Sequence, residues 1–380
     1  MNQAQLTQSI KSESNRLGFD LVGVCPAVAP NGFGQFLQWL EAGYAGEMLY
    51  LEERKEAYRH PESVLPGVTS LVMLGMHYQT QVPAESELES KPGTGRIARY
   101  AWGAGDYHDV IHAKLKKLKK FVQSLDESLV VRGVVDTAPL LEREFAELAG
   151  IGWRAKNTLV INKHSGSWFF LAALLVNSEL EYDDPIQTDH CGTCTACLDA
   201  CPTDAFVQPH VLDATKCISY LTIEHRSPIP VELRPMMENW ILGCDVCQEV
   251  CPWNRKSPLS QQPEFAPLEE HNPIELRSLF DLDDDQFRAR FRKTPLWRPK
   301  RRGILRNAAI ALGNFPSSDN VASLCKGLND GESLIRGASA WALGQHQDSA
   351  VRPSLQARLE LETDEQVRGE IRSSLEVTSS

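Results

Sequence analysis

Hydrophobic and polar residues in the first 180 positions alternate between helix-like and strand-like patterns. Apolar residues recur every three or four positions in segments 6–17, 33–43, 109–125 and 139–149, which predicts amphipathic helices. Short continuous apolar runs at 20–25, 71–76, 130–135 and 168–176 predict buried strands. Strands that alternate with helices indicate an α/β or α+β domain over residues 1–180. Segment 81–92 is predicted to be a surface loop.

The last 75 residues contain a repeated pattern. Arg306-Asn-Ala-Ala-Ile-Ala-Leu-Gly recurs as Arg336-Gly-Ala-Ser-Ala-Trp-Ala-Leu-Gly, and Val367-Arg368-Gly-Glu-Ile is a weaker third copy. The arginines are 30 and 32 positions apart. Helix pairs at this period stack into a HEAT-type solenoid, so residues 303–380 are predicted to be an all-α HEAT-like domain. A plain helical bundle is the alternative.

Composition and charge mainly exclude classes of protein. A length of 380 residues suggests two or three domains, and 42% hydrophobic with 23% charged residues is ordinary globular usage. The longest dense apolar run, 168–176, has nine residues, whereas a membrane span needs about 20. Residues 1–16 are polar and do not resemble a secretory signal, so we expect a cytoplasmic protein without membrane contact. The net charge of −11 argues against an overall basic coat for nucleic acid.

Eight of the ten cysteines lie between Cys191 and Cys251. Cytosolic thiols stay reduced, so clustered cysteines there are metal ligands more often than disulfides. The first four follow the pattern Cys-x2-Cys-x2-Cys-x3-Cys-Pro, which is the bacterial ferredoxin spacing. Three thiolates two residues apart can wrap one iron–sulfur cube, whereas the fourth points to a second cube.

A second, incomplete copy of the motif ends at Cys251-Pro252, with Ile241 where its first cysteine would stand. Cys217 is available to replace that residue. Exchange of ligands between the halves then gives two [4Fe–4S] clusters four thiolates each, in a ferredoxin-like domain over 181–260. The first cluster is predicted to bind Cys191, Cys194, Cys197 and Cys251, and the second Cys201, Cys217, Cys244 and Cys247.

Two structural zinc sites or a disulfide framework are the alternatives for these cysteines. Cys25 and Cys325 stand apart from the others and are expected to be buried as small hydrophobic residues.

Residues 286–306 contain no acid and nine basic residues, with Phe287, Phe291 and Trp297 among them. Basic and aromatic side chains together hold phosphates and stack on bases. The connector 261–302 is therefore a candidate for nucleic-acid binding. The alternative is a solvated helix face that is neutralised by the acids of 281–285.

Asp136 ends a predicted strand just before a predicted helix. Strand ends are where α/β proteins place ligands, and a carboxyl screened from water there has a raised pKa and can donate a proton. Simple capping of the helix is the alternative role. No glycine-rich nucleotide fingerprint occurs in the sequence.

Several further motifs occur together along the chain. They are Arg96-Ile-Ala-Arg99-Tyr100-Ala-Trp-Gly, Asp106-Tyr107-His108, Val135-Asp136-Thr-Ala-Pro139-Leu-Leu-Glu-Arg, Gly152-Trp-Arg-Ala-Lys156-Asn157-Thr, Cys217-Ile-Ser-Tyr-Leu-Thr-Ile-Glu224 and Gly243-Cys244-Asp245-x-Cys247-Gln248. With the cysteine run and the repeats, this combination resembles the epoxyqueuosine reductases, cobalamin-dependent iron–sulfur enzymes of the last step of queuosine synthesis in tRNA. The resemblance covers nearly the whole chain.

The resemblance implies a cobalamin in the N-terminal domain, with its dimethylbenzimidazole tail off the cobalt because no Asp-x-His-x-x-Gly motif is present. The clusters would reduce the cobalt to Co(I), which would attack or reduce the epoxide of epoxyqueuosine at the tRNA wobble position. Asp136 would protonate the departing oxygen. An external low-potential electron donor and a monomeric protein are also expected.

The resemblance further implies particular contacts. The implied cobalamin contacts are Asp136, Arg59, Arg99, Tyr100, Lys156, Asn157, Ser165 and Ser167. The implied tRNA contacts are Lys293, Arg298, Lys300, Arg301 and Arg302.

Two other functions share parts of this pattern. A different cobalamin and iron–sulfur reductase, such as a dehalogenase-like enzyme, would need neither the basic stretch nor the solenoid. A non-catalytic iron–sulfur electron carrier that docks through its solenoid would bind iron but no corrinoid.

Overall fold

The computed structural model describes residues 1–81, 92–346 and 351–377, so the predicted loop 81–92 lies almost wholly outside the described residues. The chain forms two compact units, and neither is one continuous piece of sequence. The first unit comprises 1–80, 106–213 and 246–265, and the second comprises 81–105, 214–245 and 266–380. The four predicted domain ranges remain predictions.

The strands of both units are mostly short. They are β1 (Leu21–Pro26), β2 (Ser70–His77), β3 (Thr94–Ile97), β4 (Val131–Val134), β5 (Trp153–Arg154), β6 (Val160–Ile161), β7 (Phe169–Val176), β8 (Phe206–Gln208), β9 (Val211–Leu212), β10 (Trp240–Leu242) and β11 (Ile274–Glu275).

The helices are longest near the C-terminus. They are α1 (Gln3–Arg16), α2 (Phe33–Glu41), α3 (Leu49–Glu53), α4 (Tyr107–Leu125), α5 (Glu142–Leu148), α6 (Ala196–Asp199), α7 (Ile218–Ile223), α8 (Val246–Glu249), α9 (Asp284–Phe291), α10 (Lys300–Asn314), α11 (Ser318–Leu328), α12 (Ser333–Gly344), α13 (Val351–Leu361) and α14 (Glu365–Val377). No helix among the described residues is long and apolar enough to cross a membrane.

The core of the first unit is a four-stranded sheet in the order β1-β2-β7-β4, in which every pair is antiparallel. The apolar stripe of α4 covers this sheet, and a Cβ on Gly133 of β4 would lie only 2.9 Å from the Cβ of Leu115. That close approach explains why glycine occupies this strand position. The antiparallel pairing makes the unit the α+β form of the predicted mixed pattern.

One predicted helix is shorter than expected. The helix predicted over 139–149 begins only at Glu142, because the chain first turns twice in three-residue hydrogen-bonded bends. Thr137 N–H donates to Val135 O at 2.6 Å, and Leu140 N–H donates to Ala138 O at 2.8 Å. Asp136 therefore lies in a loop and does not cap the helix.

The repeated arginines of the second unit are structural ties. Arg306 is buried and donates to the carbonyls of Leu221, His225 and Ser227. Arg336 donates to the Glu362 carboxylate and to the carbonyls of Asp330 and Gly331, and Arg368 donates to the carbonyls of Leu359 and Glu362. Helix α12 packs against α10 and α14, so consecutive repeats stack as the solenoid prediction requires.

Three side chains differ from expectation in burial. Phe287 and Phe291 are buried, so they form part of the core of α9 and do not offer faces for base stacking. Cys325 is only half-buried, whereas Cys25 is buried as expected.

Candidate active site and cluster-binding cavity

Four titratable side chains converge on the loop that follows β4. The Asp136 carboxylate accepts hydrogen bonds from the Tyr107 hydroxyl at 3.0 Å and from His108 Nε2 at 3.2 Å. The Asp136 N–H donates to Glu142 Oε1 at 3.1 Å, while His108 Nδ1 lies 2.8 Å from the Asp106 carboxylate. His108 thus has a carboxylate at each ring nitrogen, an arrangement that a doubly protonated imidazolium satisfies.

Local structure holds these groups in place. Asp106 caps the N-terminus of α4 through the His108 N–H, which fixes the two residues that follow it. The Tyr107 ring stacks on Phe170 of β7 with a centroid distance of 4.2 Å and an interplanar angle of 7°. Asp136 has a left-handed backbone at φ 55°, a conformation that aspartate tolerates better than most residues.

Two side chains around Asp136 have raised pKa values. Burial lowers the pKa of His108, but its hydrogen bonds with Asp106 and Asp136 outweigh that effect and raise the pKa to about 9. Burial, followed by the charge of Asp136, raises the pKa of Glu142 to about 8. Part of Glu142 remains accessible to water. The protein packed around its carboxyl group therefore raises the pKa without excluding water completely. At neutral pH both side chains carry a proton.

The position of Asp136 has a different basis from the one predicted. The rule that ligands bind at strand ends belongs to parallel sheets, whereas this sheet is antiparallel. The loop 136–139 and the N-terminus of α4 create the site instead.

The four residues predicted to hold the first cluster lie together in the first unit. The thiols of Cys191, Cys194, Cys197 and Cys251 line a cavity of about 370 Å³. Burial and the neighbouring Cys251 and Cys191 raise the pKa of Cys197 to about 11, as expected of thiols crowded around one point. Loss of these protons would accompany metal binding.

Backbone groups around the cavity are directed at sulfur atoms. Burial raises the pKa of Cys191 and of Cys251, and nearby backbone N–H groups, those of Lys156 for Cys191 and of Trp253 and Asn254 for Cys251, offset part of that rise. Hydrogen bonds of this kind are the second shell of protein-bound iron–sulfur clusters. The donor set therefore fits such a cluster.

The residues predicted for the second cluster are divided between the two units. In the first unit, the Cys201 sulfur accepts from the Ala205 N–H at 3.4 Å, and Cys247 lies in α8. In the second unit, Cys217 is the N-cap of α7 and Cys244 follows β10 closely.

The hairpin β5–β6 bears two of the predicted cobalamin contacts. Lys156 Nζ donates to the carbonyls of Gly192 at 2.6 Å and Cys194 at 2.9 Å. Asn157 Nδ2 donates to the carbonyl of Cys247 at 3.3 Å. The hairpin thus holds segments of both cysteine motifs.

The other predicted cobalamin contacts lie in several settings. Ser167 is buried and bonds Asn254, while the Ser165 N–H donates to Asn162 Oδ1 at 3.1 Å. Arg59 pairs with Glu56 at 2.8 Å on the surface. In the second unit, the Arg99 N–H donates to Asp245 at 2.7 Å, and Tyr100 packs beside Gly243.

The predicted tRNA contacts are mostly exposed. Lys293, Arg298, Lys300 and Arg302 are accessible, although Arg298 also pairs with Glu224 at 3.0 Å. Lys300 Nζ lies 3.9 Å from the centre of the half-buried Trp297 ring. Arg301 is largely enclosed and is bound by Asp330 and the Leu282 carbonyl.

Analysis of the sequence missed the roles of His108 and Glu142. Both residues occur in the quoted motifs, but their meeting at Asp136 depends on the three-dimensional path of the chain. The usable signal was the capping Asp106 directly before Tyr107 and His108, which predicts that these side chains are fixed at a helix start.

Three family models match successive parts of the chain. The model described as Epoxyqueuosine reductase QueG, DUF1730 covers residues 59–137, that of a 4Fe-4S double cluster binding domain covers 190–254, and that of HEAT repeats covers 301–376.

Curated relatives match over most of their length. The epoxyqueuosine reductase of Pseudomonas aeruginosa is 41% identical over 91% of this chain and 96% of its own, and that of Escherichia coli K12 is 38% identical over 90% and 89%. The chain belongs to the epoxyqueuosine reductase family. It is thus an oxidoreductase whose cofactors are two [4Fe–4S] clusters and cobalamin, and the zinc and disulfide alternatives are set aside.

Solved epoxyqueuosine reductases share the fold. A crystal structure with a tRNA-Tyr epoxyqueuosine-modified stem loop has a TM-score of 0.92 at 33% identity and covers all of both chains. A Bacillus subtilis structure with its catalytic aspartate loop swung out of the active site has a TM-score of 0.91 at 33% identity, over 99% of this chain and all of its own. These likenesses confirm the predicted fold class, including the HEAT-like repeats.

Proposed function

We propose that the chain reduces epoxyqueuosine to queuosine at the wobble position of a tRNA anticodon stem-loop. The observation that carries the proposal is the contact of Asp136 with Tyr107, His108 and Glu142. It occurs in a chain that is 41% identical to an epoxyqueuosine reductase over 91% of its length. The solved relative with a modified tRNA stem loop, alike over the whole chain, supports the substrate class.

The reaction requires two electrons and two protons. The two C–O bonds of the epoxide break, a carbon–carbon double bond forms, and the oxygen leaves as water. When bound, cobalamin supplies the low-valent metal centre through which electrons from the clusters reach the substrate.

The first unit has buried polar atoms that could form hydrogen bonds with the amide groups at the periphery of cobalamin. Gln79 Oε1, Thr80 Oγ1 and Ser257 Oγ are buried polar atoms with no hydrogen-bond partner in the described part of the chain. Such atoms occur where a bound molecule completes the hydrogen bonding. The residues proposed to hold cobalamin are Arg59, Arg99, Tyr100, Asp136, Lys156, Asn157, Ser165 and Ser167.

Protons reach the substrate through Asp136. We assign this carboxyl as the acid that protonates the departing oxygen, because it is the half-exposed member of the cluster, with 43% of its side chain accessible. His108 supplies that proton to Asp136 across the 3.2 Å contact, and Asp136 passes it to the departing oxygen. Glu142, whose pKa is about 8, holds a second proton nearby, so the cluster stores both protons that one turnover consumes.

Electrons enter through the clusters. The proposed ligands are Cys191, Cys194, Cys197 and Cys251 for the first cluster and Cys201, Cys217, Cys244 and Cys247 for the second. Because the sequence has no nucleotide fingerprint, an external low-potential donor is the proposed source of electrons. We further propose that the protein acts as a monomer in the cytoplasm.

The tRNA contacts are proposed on the basic stretch. Lys293, Arg298, Lys300 and Arg302 offer exposed cations to the phosphate backbone, and Arg301 supports them from its pair with Asp330.

The decisive experiment is a single-turnover assay. Anaerobic protein loaded with iron, sulfide and cobalamin is mixed with a chemical reductant and with tRNA that carries epoxyqueuosine. The tRNA is then digested, and the masses of its nucleosides are measured by mass spectrometry. We expect loss of one oxygen atom from the modified base. Protein with full iron and cobalt content that leaves the epoxide intact would refute the proposed function.

A further inference from the structure

The indole of Trp153 lacks a partner in the first unit. Trp153 is among the most completely buried side chains, yet its Nε1–H makes no hydrogen bond of regular geometry to any described residue. A buried donor without an acceptor costs about 1–3 kcal/mol, so such a group usually awaits a partner.

The nearby acceptors are the sulfurs of two proposed cluster ligands. Trp153 packs in one apolar group with Cys251, Cys191 and Trp253, and its ring centre lies 5.0 Å from that of Trp253. The unpartnered indole N–H therefore belongs to the same packed group as the Cys191 sulfur, which is an acceptor available to it. Once Cys191 is a thiolate bound to iron, its sulfur becomes a stronger acceptor at the same place.

A positive charge lies on the same wall of the cavity. Lys156 lines it together with the four thiols, and its ammonium group is fixed on the carbonyls of Gly192 and Cys194. Two hydrogen bonds hold the ammonium beside the cysteine loop, so its charge acts on the cavity continuously.

We propose that Trp153 and Lys156 are positioning residues that raise the reduction potential of the first cluster. Reduction adds one electron from the external donor to the cluster, so the reduced state carries one more negative charge. An N–H donor on a cluster sulfur and a nearby ammonium both stabilise that extra charge. This inference rests on the proposed ligation by Cys191, Cys194, Cys197 and Cys251, but not on the identity of the substrate.

The test measures potentials and does not depend on turnover. Trp153→Phe keeps an aromatic ring in the apolar group but removes the N–H, whereas Lys156→Met keeps a long side chain but removes the charge. Trp39→Phe and Lys163→Met are matched controls, because Trp39 donates its indole N–H to the Leu212 carbonyl and Lys163 is exposed. Each protein, with both clusters reconstituted anaerobically, is titrated with reductant and followed by electron paramagnetic resonance.

We expect one of the two cluster midpoints to move to a more negative potential in Trp153→Phe and in Lys156→Met, and neither to move in the controls. Unchanged midpoints in both variants at full iron content would overturn the inference. Wild-type protein that cannot bind eight iron atoms would instead refute the ligand assignment.

If Trp153→Phe fails to retain its iron, the wild type still decides the role of Trp153. Protein labelled with ¹⁵N at the tryptophan indole should show a nitrogen coupling to the reduced cluster by pulsed electron paramagnetic resonance. Absence of that coupling would count against the N–H contact.

Discussion

At the scale of single residues, the neighbours of the Asp136 carboxylate determine what it can do. Asp136 alone could be a capping residue, but it lies between the Tyr107 hydroxyl, the His108 imidazole and the Glu142 carboxyl. The raised pKa values of His108 and Glu142 give this group protons at neutral pH, when an isolated aspartate would have none.

Replacement of Asp136 tests its role as the acid. Asp136→Asn should lower the single-turnover rate by about 100-fold or more, because general acids contribute roughly that factor. Asparagine also tolerates the left-handed backbone, so the loop should keep its conformation. The cobalamin absorbance spectrum should be unchanged. Asp126→Asn, at the exposed C-terminal end of α4, is the control and should retain full activity.

His108 should make stability depend on pH. Its pKa rises from 6.5 to about 9 on folding, so the stabilisation is fully present below pH 6.5 and is lost as the pH rises through about 9. The loss is at most about 3 kcal/mol, since the neighbouring carboxylates share the effect. Urea unfolding of wild type and His108→Gln between pH 6.5 and 9 measures it, and equal slopes for the two proteins would contradict the assignment.

At the scale of elements, the repeats are held together by buried ion pairs as well as by apolar packing. Glu362 is fully buried and accepts from Arg336 at 2.7 Å and from Arg358 at 2.9 Å. The hydrogen bond from Arg336 is the main reason why the pKa of Glu362 falls to about 2. Glu362 therefore contributes stability above pH 4.5, and this contribution is lost as the pH falls through about 2.

Removal of that charge should be costly. Glu362→Gln leaves Arg336 buried without its counter-ion, and we expect a loss of about 3–5 kcal/mol in the free energy of unfolding. Glu365→Gln on α14 removes an acid that is 81% exposed and should change it by less than about 0.5 kcal/mol. Thermal melting followed by circular dichroism compares the two, and similar melting points would show that the pair adds little.

Periodicity alone located the four strands of the central sheet and its long helix, because α4, β2 and β7 each bury one clear stripe or a whole apolar run. It did not locate the strands of two to four residues outside that sheet, which are too short to show a period. The start of α5 could not be located in this way, since two hydrogen-bonded bends delay it. The two- and three-residue spacings within each cysteine motif allowed the cysteines to be grouped, because ligands of one cluster within a loop lie a few residues apart. The contacts of His108 with Asp136 and of Trp153 with Cys191 join segments that are distant in sequence and have no local signature. Glu142 is only six positions from Asp136, but their contact depends on the bends that delay α5.

At the scale of the whole molecule, the charge is unevenly distributed. The chain carries a net charge of −11, yet residues 286–306 hold nine basic residues and no acid. Arg306 is buried and Arg301 is paired with Asp330, but the other seven are exposed. A localised cationic surface of this kind on an acidic protein favours a polyanion at one place and repels it elsewhere.

Binding of tRNA should therefore depend on salt through this stretch. The triple variant Arg298→Gln, Lys300→Gln and Arg302→Gln should flatten the plot of log affinity against log salt concentration by up to about three units, one for each lost phosphate contact. Lys117→Gln, Lys119→Gln and Lys120→Gln on the exposed face of α4 remove the same charge and should leave the slope unchanged. Fluorescence anisotropy with labelled stem-loop RNA gives both slopes, and equal flattening would point to a non-specific effect.

The interleaving of the two units has a consequence for how the protein is made. The first unit draws on residues up to 265, and the second resumes at 214 and again at 266, so the ribosome must synthesise about two-thirds of the chain before either unit is complete. A nascent polypeptide that stops short of Cys251 would have only three of the four thiolates proposed for the first cluster, and it would lack one of the residues that line the cavity. On the proposed ligation, the first cluster can therefore acquire its fourth ligand only after about two-thirds of the chain has been made.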